Sequence, residues 1–413
     1  MSDATFSRPL SSEPLAAHSL LQKPVSDDRL AWRAYWQAHQ QPWRTEPEIG
    51  QARQDVLQSH ARLSANIAQG IFPFKGVQLT RADIEWLIAA REEGRRRLEE
   101  DSARQRLPGL DLRGADLRST DVGALNLAGL PLARVRIGLA RNEWKGRDAT
   151  LLQAASSNMD GVDFFEAHLE GACLAGASLN AADLRLVHGE GADLRYARLE
   201  HANLSGALFE GANLTGALLD HVYFTGCQLG SAKLVHARLN GATLFGAQLQ
   251  GAFLVEVEAK GANFTGSQLA GADLRKANLQ GASFLGANLR GADLSQANLE
   301  GAVFVGAQLE GANLTAVRLA GRERVGPSLL DVQWGATRLS VVDWSQIEML
   351  GDEAHIAQRE KAIDAMEAKG EWKKAMWANR QVSHVLHQQG LYEEAAYFAQ
   401  RAEALRSHAF TPL

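Results

Sequence analysis

The chain has 413 residues, a formal charge of −5 and 46% hydrophobic residues, enough apolar content to fold and enough length for two or three domains. The mild acidity argues against a dedicated nucleic-acid binder, which carries a basic domain, and two cysteines, Cys173 and Cys227, exclude a disulfide framework and fit a reducing compartment. No stretch approaches the roughly 20 apolar residues of a membrane span, and MSDATFSRPLSSEP has no charged start ahead of an apolar core, so a soluble, cytoplasmic chain is expected.

Residues 1–25 are polar with scattered prolines and read as a flexible arm. An N-terminal helical region is expected over 26–107. Its first helix starts at SDDRLAWRAYWQAHQQ, with Ser26 or Asp27 as N-cap, and stops at Pro42. A second helix is expected over 47–68, closed by Gly70. The third begins at LTRADIEWL, where Thr80 and Asp83 have capping-box spacing and Leu79 and Ile84 suit a hydrophobic staple. The Arg95–Arg97 run reads as a solvated helix end.

From Leu110 the period becomes five, neither the 3.6 of a helix nor the 2 of a strand. Apolar centres fall at Leu112, Leu117, Val122, Leu127, Leu132 and Ile137, lapse through an insert near 138–157, and resume at Met159, Phe164, Leu169 and Leu174 as far as Trp344. Gly189, Ala259 and Arg324 are weak centres. A small residue, usually Ala, lies two before each centre, and Gly recurs two after it. The tail, 350–413, turns helical again: AHIAQREKAIDAMEAKG, EWKKAMWANRQVSHVLHQQG and LYEEAAYFAQRAEALRSHAF read as three helices forming a hairpin or cap, and the last resembles half of a tetratricopeptide unit.

The pattern A-(D/N)-L-x-x, densest in GANLRGADLSQANLEGA, resembles the pentapeptide-repeat family over roughly residues 108–345. The resemblance implies a mainly β solenoid, a right-handed quadrilateral β-helix with four pentapeptides per coil, its centre and small residues inward and the other three outward. The sequence carries a check. Phe164, Phe224, Phe264, Phe284 and Phe304 differ by multiples of twenty, Trp344 shares their phase, and Phe209 does not. A column of stacked aromatics inside one face is therefore expected. At one strand spacing per coil, about eleven coils would make a rod of roughly 50 Å.

Sorted by twenty, the outward residues form candidate contact surfaces. Phe165, Tyr223, Phe245, Leu285, Val303 and Val305 fall on the Phe face, and Val235, Phe253 and Val255 on the opposite one. Apolar patches of this kind mark contacts, with the chain's own terminal helices, a homodimer or another protein as the cover. Glu170, Glu190 and Glu210 form an acidic column, either screened by solvent or facing a basic partner. Gln228, Gln248, Gln268, Asn288 and Gln308 suit an amide ladder. Arg134, Arg136, Arg141, Lys145 and Arg147 cluster in or near the insert, which is either a solvated excursion or a partner-binding loop.

His168 and His188 share a column, as do His201 and His221 beside Glu200 and Asp220, but the spacing supplies no third ligand in depth and no metal is expected. Cys227 falls at an inward small position, and Cys173 points outward with no basic neighbour to activate it. No phosphate loop or nucleophile elbow appears in a strand-to-helix context, so no catalysis and no cofactor are expected. The reading is a non-catalytic scaffold for a protein partner. Family members that mimic DNA on gyrase supply an alternative, which the flanking helices and Arg185, Arg195, Arg198, Arg275, Lys276 and Arg290 oppose. LTRADIEWL, LDLRGADL, LPLAR, VVDW, MLGDE and GLYEEAAYFAQRAE resemble large bacterial members, some of which continue into channel-like membrane helices. A soluble sensor or recruitment relative, or a piece of a longer chain, is the third reading.

Overall fold

The computed structural model describes residues 22–25, 27–64, 69, 71–99, 110–112, 115, 127, 132, 135 and 159–410. The arm as far as residue 21 and the insert at 138–157 lie outside the described residues. The chain divides into two compact units, Met1–Glu48 and Ile49–Leu413.

The first unit is built on helix α1 (Arg29–Ala38). Its N-cap is Asp28, not Ser26 or Asp27: the Asp28 carboxylate accepts the Leu30 N–H at 2.9 Å, which satisfies a donor with no partner inside the helix. Trp32 and Trp36 stack with ring centroids 5.5 Å apart. The Arg44 guanidinium lies 3.4 Å over the Trp36 ring, and the Trp36 indole donates to the Glu46 carbonyl at 2.9 Å.

In the second unit, α2 (Gln51–Ala61) is shorter than its sequence suggests. It is tied to α3 (Arg81–Glu99) by a forked ion pair in which Arg53 donates to both Asp83 oxygens, at 3.0 and 2.8 Å. Asp83 also serves a capping box: the Thr80 N–H donates to its carboxylate at 2.9 Å, and the Asp83 N–H donates to the Thr80 hydroxyl at 3.2 Å. Leu57, Phe74 and Ile84 fill the space beneath.

From Met159 the chain winds in coils of twenty residues. Parallel bridges join each outward residue before a centre to its counterpart twenty on, as in Asp163↔Asp183, His168↔His188, Cys173↔Asp193 and Ser178↔Arg198; four faces therefore repeat. Among the described residues these bridges stay isolated and lengthen into no strand, because a turn follows every second inward residue. At each turn the N–H three residues after a centre donates back to the centre's carbonyl, as from Cys227 to Phe224 at 3.0 Å. Its third residue is left-handed, as at Gly226 with φ 64°, which explains the recurrent glycine. The Asn or Asp before a centre has its own reason. Its side-chain oxygen accepts the N–H two residues on, at 3.1 Å from Asn203 to Ser205 and 3.0 Å from Asn263 to Thr265, a local turn lock that Leu cannot make.

The interior is Leu, Phe and Ala, almost wholly buried. Phe264, Phe284 and Phe304 stack with centroids 4.9 and 5.0 Å apart and rings within 8° of parallel. Trp344 does not join them. The coil after Phe304 has five extra residues, so Val303 bridges Ser328 and Gln308 bridges Gln333. The phase shifts by one face, and Trp344 instead meets Trp334 and Phe398 edge-on. Arg324, a weak centre, lies in that excursion and donates to Glu348 at 2.6 Å.

Helices α4 (Gly351–Arg359), α5 (Ala365–Gln388), α6 (Tyr392–Ala404) and α7 (Arg406–Phe410) follow. The expected break at Gly370 is absent, and Gly370 sits inside α5. The break comes earlier, where Asp364 accepts the N–H groups of Met366 and Glu367 at 2.9 and 2.8 Å, a cap that offsets the roughly 1 kcal/mol cost of an interior glycine. Gly390, φ 79°, ends α5. Ile356, Trp372, Met376, Leu405 and Ala409 form the helical core.

These helices close the last coil through side-chain amides. Gln381 exchanges two hydrogen bonds with Asp331, at 2.7 and 2.8 Å. Gln389 takes the Leu339 N–H and donates to the Thr337 carbonyl, both at 2.8 Å. The Tyr397 hydroxyl donates to the Glu348 carbonyl at 2.7 Å. Backbone groups with no further coil to pair with are thereby satisfied.

Asp352, at the start of α4, accepts the Leu329 N–H at 2.6 Å. Burial pushes its carboxyl up to about 6 from an ordinary 3.8, against the pull of the Leu329 and Leu330 amides. The pKa is raised on folding, so the stability linked to Asp352 is full below about 3.8 and is lost as pH rises through about 6. Asp352→Asn, which keeps an acceptor oxygen, is expected to abolish the fall in stability between those values, measured by urea denaturation at several pH values. An unchanged slope would remove Asp352 as its source.

Candidate functional site

The outward positions inherit their geometry from the coil. The residues before and after a centre flank it on one flat face, and the same positions recur one strand spacing away in the next coil. Tyr223, Phe245 and Leu285 stand on the Phe face at 49, 52 and 45% exposure, and Phe253 on the opposite face at 43%. Val235, Val255, Val303, Val305 and Phe165 are half-buried. Arg185 in the next coil lies 5.3 Å over the Phe165 ring. The C-terminal helices sit at the end of the solenoid and leave the four exposed side chains uncovered. Arg141, Lys145 and Arg147, with Arg134 and Arg136, lie outside the described residues.

A feature that sequence reasoning missed is the charge distribution. On the Phe face, the outward positions from Asn203 to Gly306 hold Asn, Ser, Thr, Tyr, Phe, Leu, Val and Gly and no Asp, Glu, Lys, Arg or His. Its corner residues are Gly206, Gly226, Gly246, Gly266, Gly286 and Gly306, all with positive φ. Sorting charge, instead of hydrophobicity, by twenty would have found it.

The profile described as "Pentapeptide repeats" matches eight copies here, over residues 155–185, 190–226, 223–258, 260–296 and 282–321, a set that takes in most of the coil residues from Met159 to Gly321. This part of the chain is a run of pentapeptide repeats. Among solved structures, it is similar to the pentapeptide-repeat protein Rfr23 from the cyanobacterium Cyanothece 51142, with 32% identity and a TM-score of 0.21, over 25% of this chain and 63% of that one. It is also similar to HetL, involved in heterocyst differentiation regulation in the cyanobacterium Nostoc sp. strain PCC 7120, with 26% identity and a TM-score of 0.24, over 51% of this chain and 92% of that one. Full-length QnrB1, a plasmid-mediated fluoroquinolone resistance protein, matches at 16% identity and a TM-score of 0.26, over 58% of this chain and all of that one. The chain thus spans less than two thirds of Rfr23. A search of curated proteins finds no match.

Outside that uncharged stretch of the Phe face, acids and bases on the pentapeptide-repeat coils pair. Three Asp-Leu-Arg triplets place the acid before a centre and the base after it, with Asp183–Arg185, Asp193–Arg195 and Asp273–Arg275 at 2.6, 2.6 and 2.7 Å. The guanidinium hydrogen bond holds the carboxyls of Asp183 and Asp273 below the ordinary range. Glu256–Lys276 and Glu300–Arg318, each at 3.2 Å, and Asp220–Arg238 pair across coils.

Glu170, Glu190 and Glu210 form their column, the first two half-buried and the third exposed. Among the described residues none of them has a Lys or Arg ion partner; Glu170 meets the His168 imidazole at 2.8 Å. The amide ladder is realised at one described rung, Asn288 donating to Gln268 at 3.0 Å, while Gln248 turns to the Gly246 carbonyl at 3.1 Å. Burial pushes the Cys227 thiol up, as its inward position implies. Cys173 does have a basic neighbour, since Arg195 lies close enough to interact with it electrostatically. Among the described residues no helix is long and apolar enough to cross a membrane.

Proposed function

We propose that the protein is a non-catalytic scaffold that binds a protein partner on the Phe face of its solenoid. The observation that carries this reading is the uncharged face exposing Tyr223, Phe245 and Leu285. Burying it desolvates no charge, and aromatic side chains are favoured anchors at the centre of interfaces. A rigid backbone adds little ordering cost to association. Phe253 and Val255 on the opposite face, the Glu170–Glu190–Glu210 column and the Arg141, Lys145 and Arg147 cluster are secondary candidates. The gyrase alternative asks for a surface of unpaired negative charge like that of a duplex, whereas Asp183, Asp193, Asp220, Asp273, Glu256 and Glu300 are each matched by an arginine or a lysine. A cytoplasmic site of action belongs to the same proposal.

The test places a photo-crosslinking amino acid at Phe245, Leu285 or Lys260 in the full chain, expressed in its own cells. Protein adducts at Phe245 and Leu285 but not at Lys260 are expected, and Phe245→Glu with Leu285→Glu should weaken the captured partner's binding more than about tenfold, a loss typical of an interface anchor. Equal crosslinking at all three positions would defeat the reading. Gyrase subunits captured through the acidic column instead would restore the alternative.

A further inference from the structure

The two histidine pairs look alike in sequence and differ in structure. His201 and His221 occupy left-handed corners with φ 61° and 59°, and their rings stack 5.2 Å apart and 6° from parallel. His168 and His188 stand one position before a centre, bridged across adjacent coils, with rings 4.7 Å apart and 23° from parallel. Glu170 flanks the same centre as His168, and its Oε1 lies 2.8 Å from the His168 Nδ1. One ligand atom each from His168, Glu170 and His188 falls within 4.8 Å of the others, and this is the one such group among the described residues. The other oxygen, Glu170 Oε2, is sealed from solvent with no hydrogen-bond partner, and so is Glu190 Oε2 in the next coil.

Those orphaned oxygens need a cause. Glu170, Glu190 and Glu210 repeat one strand spacing apart, about 4.8 Å, where like charges repel and a carboxylate oxygen without a donor is unfavourable. A cation between the imidazoles and the first carboxylate relieves both. Two nitrogens and one oxygen are the donor set of an open zinc site, with metal–ligand distances of about 2.0–2.2 Å and water in the fourth position. The ligand atoms would have to close up by roughly 1–1.5 Å to meet that geometry, which outward side chains can do by rotamer changes alone. Glu190 stands two residues after His188, as Glu170 does after His168, and so is placed to hold the second imidazole's orientation from outside the ligand set.

We propose that His168, Glu170 and His188 bind one divalent first-row ion of the zinc class on the outer face of the coil. Imidazole with a single carboxylate selects such an ion over magnesium or calcium, which take oxygen cages. The site does not depend on the docking face and would fasten two adjacent coils together.

Equilibrium dialysis of the untagged, chelator-washed full chain against zinc chloride tests it. One equivalent of zinc is expected, displaced by cobalt with a nitrogen–oxygen tetrahedral absorption and not by excess magnesium. His188→Ala and the size-preserving His188→Gln should return zinc to background, and Glu170→Gln should weaken binding by at least about tenfold, the floor for perturbing a ligand's surroundings. His201→Ala/His221→Ala should keep the full equivalent. Circular dichroism checks that the variants keep the fold. Absence of zinc on the wild-type chain above the His188 variants, or an equal loss in His201→Ala/His221→Ala, would overturn the proposal.

Discussion

Phe284→Ala is expected to destabilise the solenoid by about 3–5 kcal/mol, the range for removing a buried aromatic ring. The ring is fully buried and has a parallel ring on each side, Phe264 at 4.9 Å and Phe304 at 5.0 Å. Its loss forfeits burial, opens a cavity that backbone bridged above and below cannot close, and ends two ring contacts. Phe224→Ala is the control. Phe224 is equally buried but stands in the column between Leu204 and Leu244, so it has no ring neighbour to lose. Each aromatic pair adds about 0.5–1.5 kcal/mol beyond area burial, and Phe284→Ala should be the costlier by one to two such increments. Equal costs in urea denaturation would show that the stack adds nothing beyond volume. A solenoid is stabilised by nearest-neighbour contacts, so hydrogen-exchange protection should fall first in the coils holding Phe264, Phe284 and Phe304 while the coils around Leu184 stay protected.

What the sequence made legible follows from where information repeats. The inward Leu and Phe, the small residue two before, the Asn or Asp that locks the turn and the Gly that closes it recur every five residues, so the coil and its four faces could be read without coordinates. Departures from the period could not. The five extra residues after Phe304 leave the arithmetic phase of Trp344 intact while moving it to another face. The break before α5 lies at Asp364 because a side-chain cap outweighs an interior glycine, a competition of about 1 kcal/mol that composition does not decide. The candidate site was legible in parts. Tyr223, Phe245 and Leu285 follow from period twenty, but their exposure depends on where α4 to α7 dock. His168 and Glu170 fall in different columns and so were not joined, although both flank Leu169 on one face. Arg195 reaches Cys173 across a bridge to the adjacent coil, a contact that linear neighbours do not reveal.

Gly189 was a weak centre in sequence, and its reason predicts the second large effect. A Cβ built on Gly189 would lie 2.3 Å from Cε1 of Phe209 and 2.7–2.8 Å from two further ring atoms. Phe209 occupies the equivalent centre one coil on, off the Phe column, and its ring leans into the space a Leu would fill at 189. The two positions are one packing unit, a hole and the ring that fills it. Phe209 is fully buried and packed to interior density, so its ring has nowhere to retreat. Gly189→Ala is therefore expected to destabilise the protein by about 1–3 kcal/mol through overpacking, the reverse of the gain that Gly→Ala gives at an unstrained site. Phe209→Leu shortens the ring out of the clash. In that background Gly189→Ala should cost close to nothing, giving a coupling of about 0.5–3 kcal/mol in the double-mutant cycle. Additive effects would break the hole-and-ring account, and would leave the glycine to be explained by backbone conformation, for which its φ, outside the left-handed region, gives no reason.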